Sequence, residues 1–222
     1  MIKLENHEER NQLSDSLGAE LGEILYLVEQ ELISLCYEWD LYKTLFGTSK
    51  ERVEILNNAL KGVAAVMENA IYDSILGCVA RLTDKSRTGI HRNVSINSLC
   101  ETCKKEGYLS DADQKSLDEL VAKTNESVEG LRFVRDKMIS HTDLDEARAD
   151  FENVSLLSRK DIGKIIDSIQ EVCNIIRTSM GAANYYTPIR NNGHDKRLFF
   201  ILEKGTECFK NADIAEYARW SI

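Results

Sequence analysis

Proline is nearly absent from this sequence: Pro188 is the only one among 222 residues, and only 12 residues are glycine. Both residue types interrupt helices, proline because it lacks a backbone N–H and glycine because it loses the most conformational entropy on folding. A chain with so few of them can sustain long helices, whereas a fold of many short strands needs breakers at its turns. Apolar residues make up 43% of the chain, which suffices for a core without disulfide or metal support. The sequence therefore predicts an all-α fold.

Apolar residues recur at intervals of three and four along most of the chain, as on the buried face of a helix. The pattern predicts helices over about residues 13–45, 48–82, 95–107, 110–140 and 158–181, and a weaker one over 195–217. Capping motifs begin three of these helices, at Thr48, Ser110 and Ser158, and residues 83–89 are predicted to form a polar loop. We therefore predict a bundle of about five or six helices in residues 1–182, with the loop and helix of residues 183–222 appended to the same domain.

The chain carries a net charge of −9, which argues against a protein whose whole surface is basic and binds nucleic acid. The charge is unevenly spread, because residues 81–105 hold six basic side chains and only two acidic ones. The six are Arg81, Lys85, Arg87, Arg92, Lys104 and Lys105. Such a stretch is either a patch that contacts phosphate groups or a solvated surface on which basic residues cluster by chance.

Six cysteines are scattered along the chain, and the sequence shows neither the apolar core of an export signal nor a run approaching the roughly 20 apolar residues of a membrane helix. We therefore expect a cytoplasmic protein with reduced thiols and no membrane contact. Two of the cysteines, Cys100 and Cys103, have the spacing of a zinc or redox half-site. No second ligand pair occurs at a matching spacing, so we interpret them as core residues, with a metal or redox site as the alternative. We expect no cofactor and no metal.

Near the end of the fourth predicted helix, Arg135 is followed by Asp136 and, six residues after the arginine, by His141. On a helical projection, Arg135 and His141 both point toward the apolar face that carries Val134 and Met138. Six helical residues span about 9 Å and leave the two side chains about 120° apart, so one copy aligns them poorly on a single phosphate. Two copies related by a two-fold axis align them well. The pair is therefore either a buried polar pair satisfied within the bundle or part of a functional cleft.

At this motif the sequence resembles the HEPN domain, an all-α family defined by Arg-x(4–6)-His with a polar residue after the arginine. More specifically, it resembles the AbiU-type abortive-infection proteins of that family over about residues 33–180. The blocks that carry the resemblance are WDLYKTLF (39–46), ERVEILN (51–57), RLTD (81–84), RTG (87–89), NVSINSL (93–99) and RDKMISHTD (135–143). The resemblance implies a helical-bundle homodimer and, in active members, metal-independent RNA cleavage.

Mapped onto this chain, the resemblance implies that His141 is the general base on the ribose 2′-OH and that Arg135 stabilises charge on the phosphate. Asp136 and Ser140 are the supporting residues of the same motif. The RNA-binding candidates are Arg81, Lys85, Arg87, Arg92 and Arg132.

Two functions fit these features. The first is a toxin or phage-defence ribonuclease that acts on RNA as a homodimer, with an antitoxin or another protein as a further partner. The alternative is a non-catalytic helical module that uses the same cleft to bind RNA, a nucleotide or a protein. Arg135 and His141 are intact in either case, so the sequence leaves both functions open.

Overall fold

The computed structural model describes residues 7–130, 158–179, 181 and 194–211. Helices dominate these residues, and the all-α fold class is confirmed. The described helices are α1 (His7–Leu17), α2 (Ala19–Tyr42), α3 (Lys50–Leu60), α4 (Gly62–Leu82), α5 (Ile96–Glu106), α6 (Asp111–Ser127), α7 (Arg159–Ser179) and α8 (His194–Asn211). A single π-helical turn, Lys43–Gly47, follows α2. The helices in this part of the chain outnumber the five or six that the sequence predicts.

The larger number of helices arises from two breaks in segments that were predicted to be continuous. Gly18 separates α1 from α2 with φ of 79°, a left-handed conformation in which a residue without Cβ carries no steric penalty. Lys61 separates α3 from α4 with φ of 47°, and its N–H bonds to Asn57 O at 2.9 Å. Lysine gives no sequence signal for such a conformation, so the second break was not predictable from composition.

Helix starts follow the sequence signals closely. Ser95, Ser110 and Ser158 each accept a hydrogen bond from the backbone N–H three residues later, as N-cap residues do. The prediction that Thr48 caps α3 is wrong, because Ser49 accepts the bond from Arg52 N at 3.3 Å. Local side-chain chemistry therefore determines these ends to within one residue.

The loop predicted over residues 83–89 leads into an antiparallel hairpin that no sequence pattern predicted. Strand β1 is Arg87–Thr88 and strand β2 is His91–Arg92, with Arg87 opposite Arg92 and Thr88 opposite His91. Gly89 has φ of 60° at the first position of the two-residue turn, where type II′ turns place glycine. Strands of two residues are too short to show an alternating pattern in the sequence.

The chain divides into two compact units. The first unit comprises the described residues within Met1–Cys36 and Asp73–Pro188, and the second those within Tyr37–Tyr72 and Ile189–Ile222. The predicted boundary at residues 182–183 lies outside the described residues, so the predicted domain organisation stays a prediction.

In the first unit, α6 packs against both α5 and α7. Its core consists of fully buried aliphatic side chains, among them Leu21, Leu25, Ile75, Leu99, Leu117 and Ile169. Burial of each such side chain contributes about 1.5–3 kcal/mol to folding. The stripe predicted on α7 is confirmed, because Ile162, Ile165 and Ile169 are all buried.

In the second unit, α3 packs against α8. Tyr42 lies at its centre, with its ring 5.8 Å from that of Trp39 and 5.6 Å from that of Tyr72. Arg52 places its guanidinium 4.7 Å from the ring centre of Phe199, a cation–π contact between the two helices. Aromatic side chains therefore contribute to the packing of this unit, whereas aliphatic side chains form the core of the first.

Among the described residues, α4 is long and apolar enough, by length and composition, to cross a membrane. Glu68 and Asp73 interrupt its middle, and Glu68 accepts a hydrogen bond from the Tyr42 hydroxyl at 3.4 Å. The later half of the helix buries Ile75 and Val79 completely. The first half instead exposes Val63 and Val66, at 57% and 68%. The cytoplasmic location stays a prediction.

Candidate functional site

The predicted catalytic pair, Arg135 and His141, lies outside the described residues, as do Asp136, Ser140 and Arg132. Their roles therefore stay predictions. The described residues instead show how the chain approaches the motif and how the basic stretch of residues 81–105 is built.

Helix α6 leads toward the motif. It packs against α5 and α7, and its buried side chains are Leu117, Val121 and Thr124. The helix predicted over residues 110–140 ends at Ser127, because the next residue, Val128, leaves the helical conformation with φ of −102° and ψ of 2°. Val128 is itself fully buried, which anchors the turn in the core of the first unit.

A pair of amides joins α6 to the loop before the hairpin. Asn97 donates to Asn125 Oδ1 at 3.2 Å, and Asn125 donates back to Asn97 Oδ1 at 2.8 Å. The Asn97 amide also lies within hydrogen-bonding distance of the backbone oxygens of Thr83 and Asp84, at 3.1 and 2.9 Å. A single side chain on α5 thereby holds the end of α4 and the last turn of α6.

Further buried polar groups hold the hairpin itself. Ser98 donates its hydroxyl to Asn93 O at 2.5 Å, and Asn93 donates its amide to Lys85 O and Thr88 Oγ1, both at 2.8 Å. Asn93 N bonds to Ser86 O at 2.9 Å and continues the strand pairing. Part of the RLTD, RTG and NVSINSL blocks is therefore a hydrogen-bonded scaffold for the hairpin.

The RNA-binding candidates on this scaffold differ in their partners. Arg81 pairs with Glu31; burial alone would lower the pKa of this guanidinium, but the carboxylate outweighs burial and raises it. Arg92 is half-buried, pairs with Glu20 and donates to Thr102 Oγ1. These two arginines thus have partners within the fold.

Lys85 and Arg87, by contrast, are exposed and form no ion pair with any carboxylate of the described chain. Arg87, Arg92, Lys104 and Lys105 line an open depression of about 400 Å³ together with one carboxylate, Glu101. Of the RNA-binding candidates, the structure therefore places Arg87 and Arg92 around the same depression, whereas Arg81 does not line it.

Two lysines of this depression were not among the RNA-binding candidates. Lys104 and Lys105 lie in the last turn of α5, with their amines 3.3 Å from Asp118 and Glu20 respectively. Both lie in the basic stretch of residues 81–105, and this was the sequence signal that could have identified them as RNA-binding candidates. Only the pairing of the hairpin with α5 shows that they share a surface with Arg87.

The CxxC cysteines are packed as hydrophobic residues. Cys103 is fully buried, and Cys100 lies half-buried with its sulfur 3.0 Å from Asp118 Oδ1. Burial raises the pKa of both thiols to about 12, so both stay protonated at neutral pH. Zinc binding and thiol exchange need thiolates, and no cluster of three or more metal-ligating side chains occurs in the described parts of the chain. The geometry favours the core interpretation over the zinc or redox alternative.

A second depression, of about 610 Å³, lies in the first unit between α6 and α7. Its hydroxyl groups, on Thr124, Ser127 and Ser168, donate to backbone oxygens of their own helices. Lys164 pairs across one turn with Asp161 at 3.3 Å. Two lysines and two aspartates line this depression, whereas four cations and one carboxylate line the one beside the hairpin, so the latter is the more basic of the two.

A known family model matches most of this chain. The match runs over residues 18–196, and the family is described as AbiU2, within the HEPN group. No functionally curated protein and no solved structure matches the chain. The matched region includes the basic hairpin, the scaffold around Asn97 and the Arg135–His141 motif. The chain therefore belongs to the AbiU2 family of HEPN domain proteins.

Proposed function

We propose that this chain is a metal-independent endoribonuclease of the toxin or phage-defence type. The observation that carries the proposal is that the Arg135-x5-His141 motif falls inside the region that matches the AbiU2 family. Abortive infection is the process for which that group is named, and destruction of RNA is a direct way to stop a cell from supporting a phage.

The proposed chemistry needs only the motif. His141 takes the proton from a ribose 2′-OH, and the 2′ oxygen attacks the adjacent phosphorus. The bond from phosphorus to the 5′ oxygen breaks, and that oxygen takes a proton from solvent as it leaves. Arg135 stabilises the negative charge that develops on the phosphate oxygens. The products are a 2′,3′-cyclic phosphate and a 5′-hydroxyl end, with Asp136 and Ser140 in supporting positions.

We further propose that the active site is composite. The helix predicted from the sequence would separate Arg135 and His141 by about 9 Å and about 120°, which suits opposite sides of a shared cleft better than one phosphate. A homodimer with a two-fold axis supplies the missing half, since each copy then faces the same cleft from the other side.

The charge of the described surface supports RNA as the ligand. The chain is acidic overall, at −9, yet the hairpin and the end of α5 gather four cations around one depression. Contacts of this kind supply most of the sequence-independent affinity for a phosphate backbone. Exposed Lys85 and Arg87 would supply contacts without breaking an existing ion pair.

A non-catalytic module that binds RNA, a nucleotide or a partner protein is the second candidate. The same basic depression favours it, because phosphate binding there needs neither Arg135 nor His141. An antitoxin or another protein partner fits either function.

The chemistry can be tested with an RNA substrate of defined sequence and a copy that carries a 2′-deoxyribose at each mapped cleavage position. Attack by the 2′-OH predicts 2′,3′-cyclic phosphate ends on the RNA and no cleavage at the deoxy positions. Cleavage at those positions, or 3′-hydroxyl ends, would contradict the proposed mechanism.

A further inference from the structure

The hairpin displays side chains that its own folding does not need. Ile90 is 88% exposed at the tip, and Lys85, Arg87 and His91 are also exposed. The turn requires glycine at position 89 but places no demand for an apolar residue at position 90. An isolated two-stranded hairpin is marginal in water, and this one is held by the hydrogen bonds of Asn93, Asn97 and Ser98. The scaffold therefore rigidifies a loop that contributes little to the core.

The register of the hairpin places two arginines directly opposite each other. Arg87 faces Arg92 across the strand pair, and like charges at opposed positions destabilise a sheet. Glu20 offsets the charge of Arg92, but Arg87 has no carboxylate partner among the described residues. An anion bound beside Arg87 would relieve this repulsion.

The depression beside Arg87 has the size and the charge for such an anion. Its volume of about 400 Å³ falls within the range of small-ligand sites, and Lys104 and Lys105 complete its basic wall. Both lysines have carboxylate partners. Lys104 pairs with Asp118, and Lys105 pairs with Glu20, which also pairs with Arg92. These are exposed ion pairs, which contribute little to stability and exchange readily for a phosphate. Glu101 is engaged by the Ser86 hydroxyl at 2.7 Å.

The tip adds a different kind of contact. Ile90 offers an exposed apolar side chain within three residues of Arg87 and two of Arg92. An RNA duplex presents phosphates and 2′-hydroxyls at its surface and keeps its base faces stacked, so it gives Ile90 nothing to contact. An unpaired base exposes a face that stacks on such side chains while its phosphate reaches a cation.

We infer that the hairpin of residues 85–92, together with Lys104 and Lys105, is a binding site for single-stranded RNA built from residues other than Arg135 and His141. A phosphate lies in the basic depression beside Arg87, and the neighbouring unpaired base packs against Ile90 at the tip. The choice of RNA as the ligand rests on the proposed function. The site gives the ribonuclease an added preference for unpaired segments.

Binding can be measured apart from cleavage in the full chain with His141→Ala. The probes are a fluorescein-labelled single-stranded RNA of mixed sequence and a blunt duplex that contains the same strand, read by fluorescence anisotropy over a range of salt. Arg87→Gln and Lys85→Gln remove one cation each, and Ile90→Ser removes the apolar tip. The matched controls are Arg197→Gln, Lys160→Gln and Ile201→Ser, which change exposed residues of the same types on α8 and α7.

We expect Arg87→Gln and Lys85→Gln to weaken single-strand binding and to reduce the slope of log K against log salt by about 0.7 for each phosphate group that is no longer bound. Ile90→Ser should weaken single-strand binding about five-fold with no change in slope, because it removes a base contact and no charge. The controls should match the parent. Hairpin variants that bind like their controls, or that weaken duplex and single strand equally, would overturn the inference, as would a hairpin that binds a protein and no RNA.

The outcome is distinguishable from that of the proposed function. RNA cleavage by the wild type with no dependence of binding on the hairpin would leave the ribonuclease and refute the hairpin site. Hairpin-dependent binding of single strands by a chain that cleaves nothing would support the hairpin site and refute the ribonuclease.

Discussion

Asn97 and Asn125 exchange two side-chain hydrogen bonds, at 3.2 and 2.8 Å, and so connect α5 to the last turn of α6. The same Asn97 amide holds the backbone oxygens of Thr83 and Asp84. The hairpin and the segment that leads to the Arg135–His141 motif are thus both tied to this residue pair, which contacts no ligand in either proposal.

Replacement of this asparagine should destabilise the fold. Asn97→Ala leaves the Asn125 amide and two loop carbonyls without their partner, which costs about 1–3 kcal/mol. Urea unfolding followed by circular dichroism measures the loss. Asn58→Ala, at an exposed position of α3, is the matched control and should change stability little. Equal unfolding midpoints for the two variants would show that the amide network contributes nothing.

A buried ion-pair network should matter more for stability than any surface pair. Arg177 on α7 bonds to both carboxylate oxygens of Glu29 at 2.5 Å and to Glu9 at 3.0 Å. Burial raises the pKa of Glu29, and the guanidinium offsets part of that rise. Arg177→Met removes the guanidinium that pairs with both carboxylates, so we expect a loss of about 3–5 kcal/mol in the free energy of unfolding.

The control for that prediction is Arg81→Met, which breaks an ion pair with Glu31 whose arginine is 59% exposed. We expect it to cost less than about 1 kcal/mol, because solvent screens the pair. Adding Glu29→Leu to Arg177→Met should recover part of the lost stability. A loss no larger for Arg177→Met than for Arg81→Met would contradict the assignment.

Stability should depend on pH through Asp118. Hydrogen bonds from the Cys100 thiol, and then from Gln114 and Lys104, hold the pKa of this carboxyl below its usual value. A carboxyl whose pKa is lower in the folded state stabilises the fold above its unfolded pKa of about 3.9. That contribution is lost as the pH falls through the folded pKa.

The test compares the wild type with Asp118→Asn in urea at several pH values. The wild type should be the more stable protein near neutral pH, and its advantage should shrink as the pH falls below about 3.9. A difference that stays constant across the acid range would mean that ionisation of Asp118 does not contribute.

The composite site makes a prediction about mixed dimers. Arg135→Ala and His141→Ala should each be inactive, whereas an equal mixture refolded together should regain about a quarter of the wild-type cleavage rate. Half of the mixed population is then heterodimer, and each heterodimer keeps one of its two Arg–His pairs. Failure to regain activity, in a mixture shown to form heterodimers, would argue that the pair does not work across two copies.

Local chemistry explains what the sequence predicted well. The caps at Ser110 and Ser158 depend on residues three positions apart, and the stripe of α7 depends on its own periodicity. The breaks at Gly18 and Lys61 carry weaker sequence signals or none, because a left-handed residue inside an apolar pattern is set by how the flanking helices pack.

Long-range pairings account for what was missed. Arg177 and Glu29 lie 148 residues apart, and no sequence pattern relates them. Arg81 and Arg87 are equivalent candidates for RNA binding in the sequence. Only the fold shows that Arg81 pairs with Glu31, whereas Arg87 is exposed and has no ion pair with a described carboxylate. Lys104 and Lys105 line the basic depression because α5 packs beside the hairpin. The sequence predicted only a loop over residues 83–89 and gave no sign of this packing.

The most direct test of the proposed function is cleavage of total RNA by the purified wild type and by His141→Ala, with EDTA present and folding verified by circular dichroism. We expect cleavage by the wild type and none by a folded His141→Ala. Equal cleavage by both proteins, or no cleavage by either, would contradict the assignment of a metal-independent ribonuclease with His141 as its base.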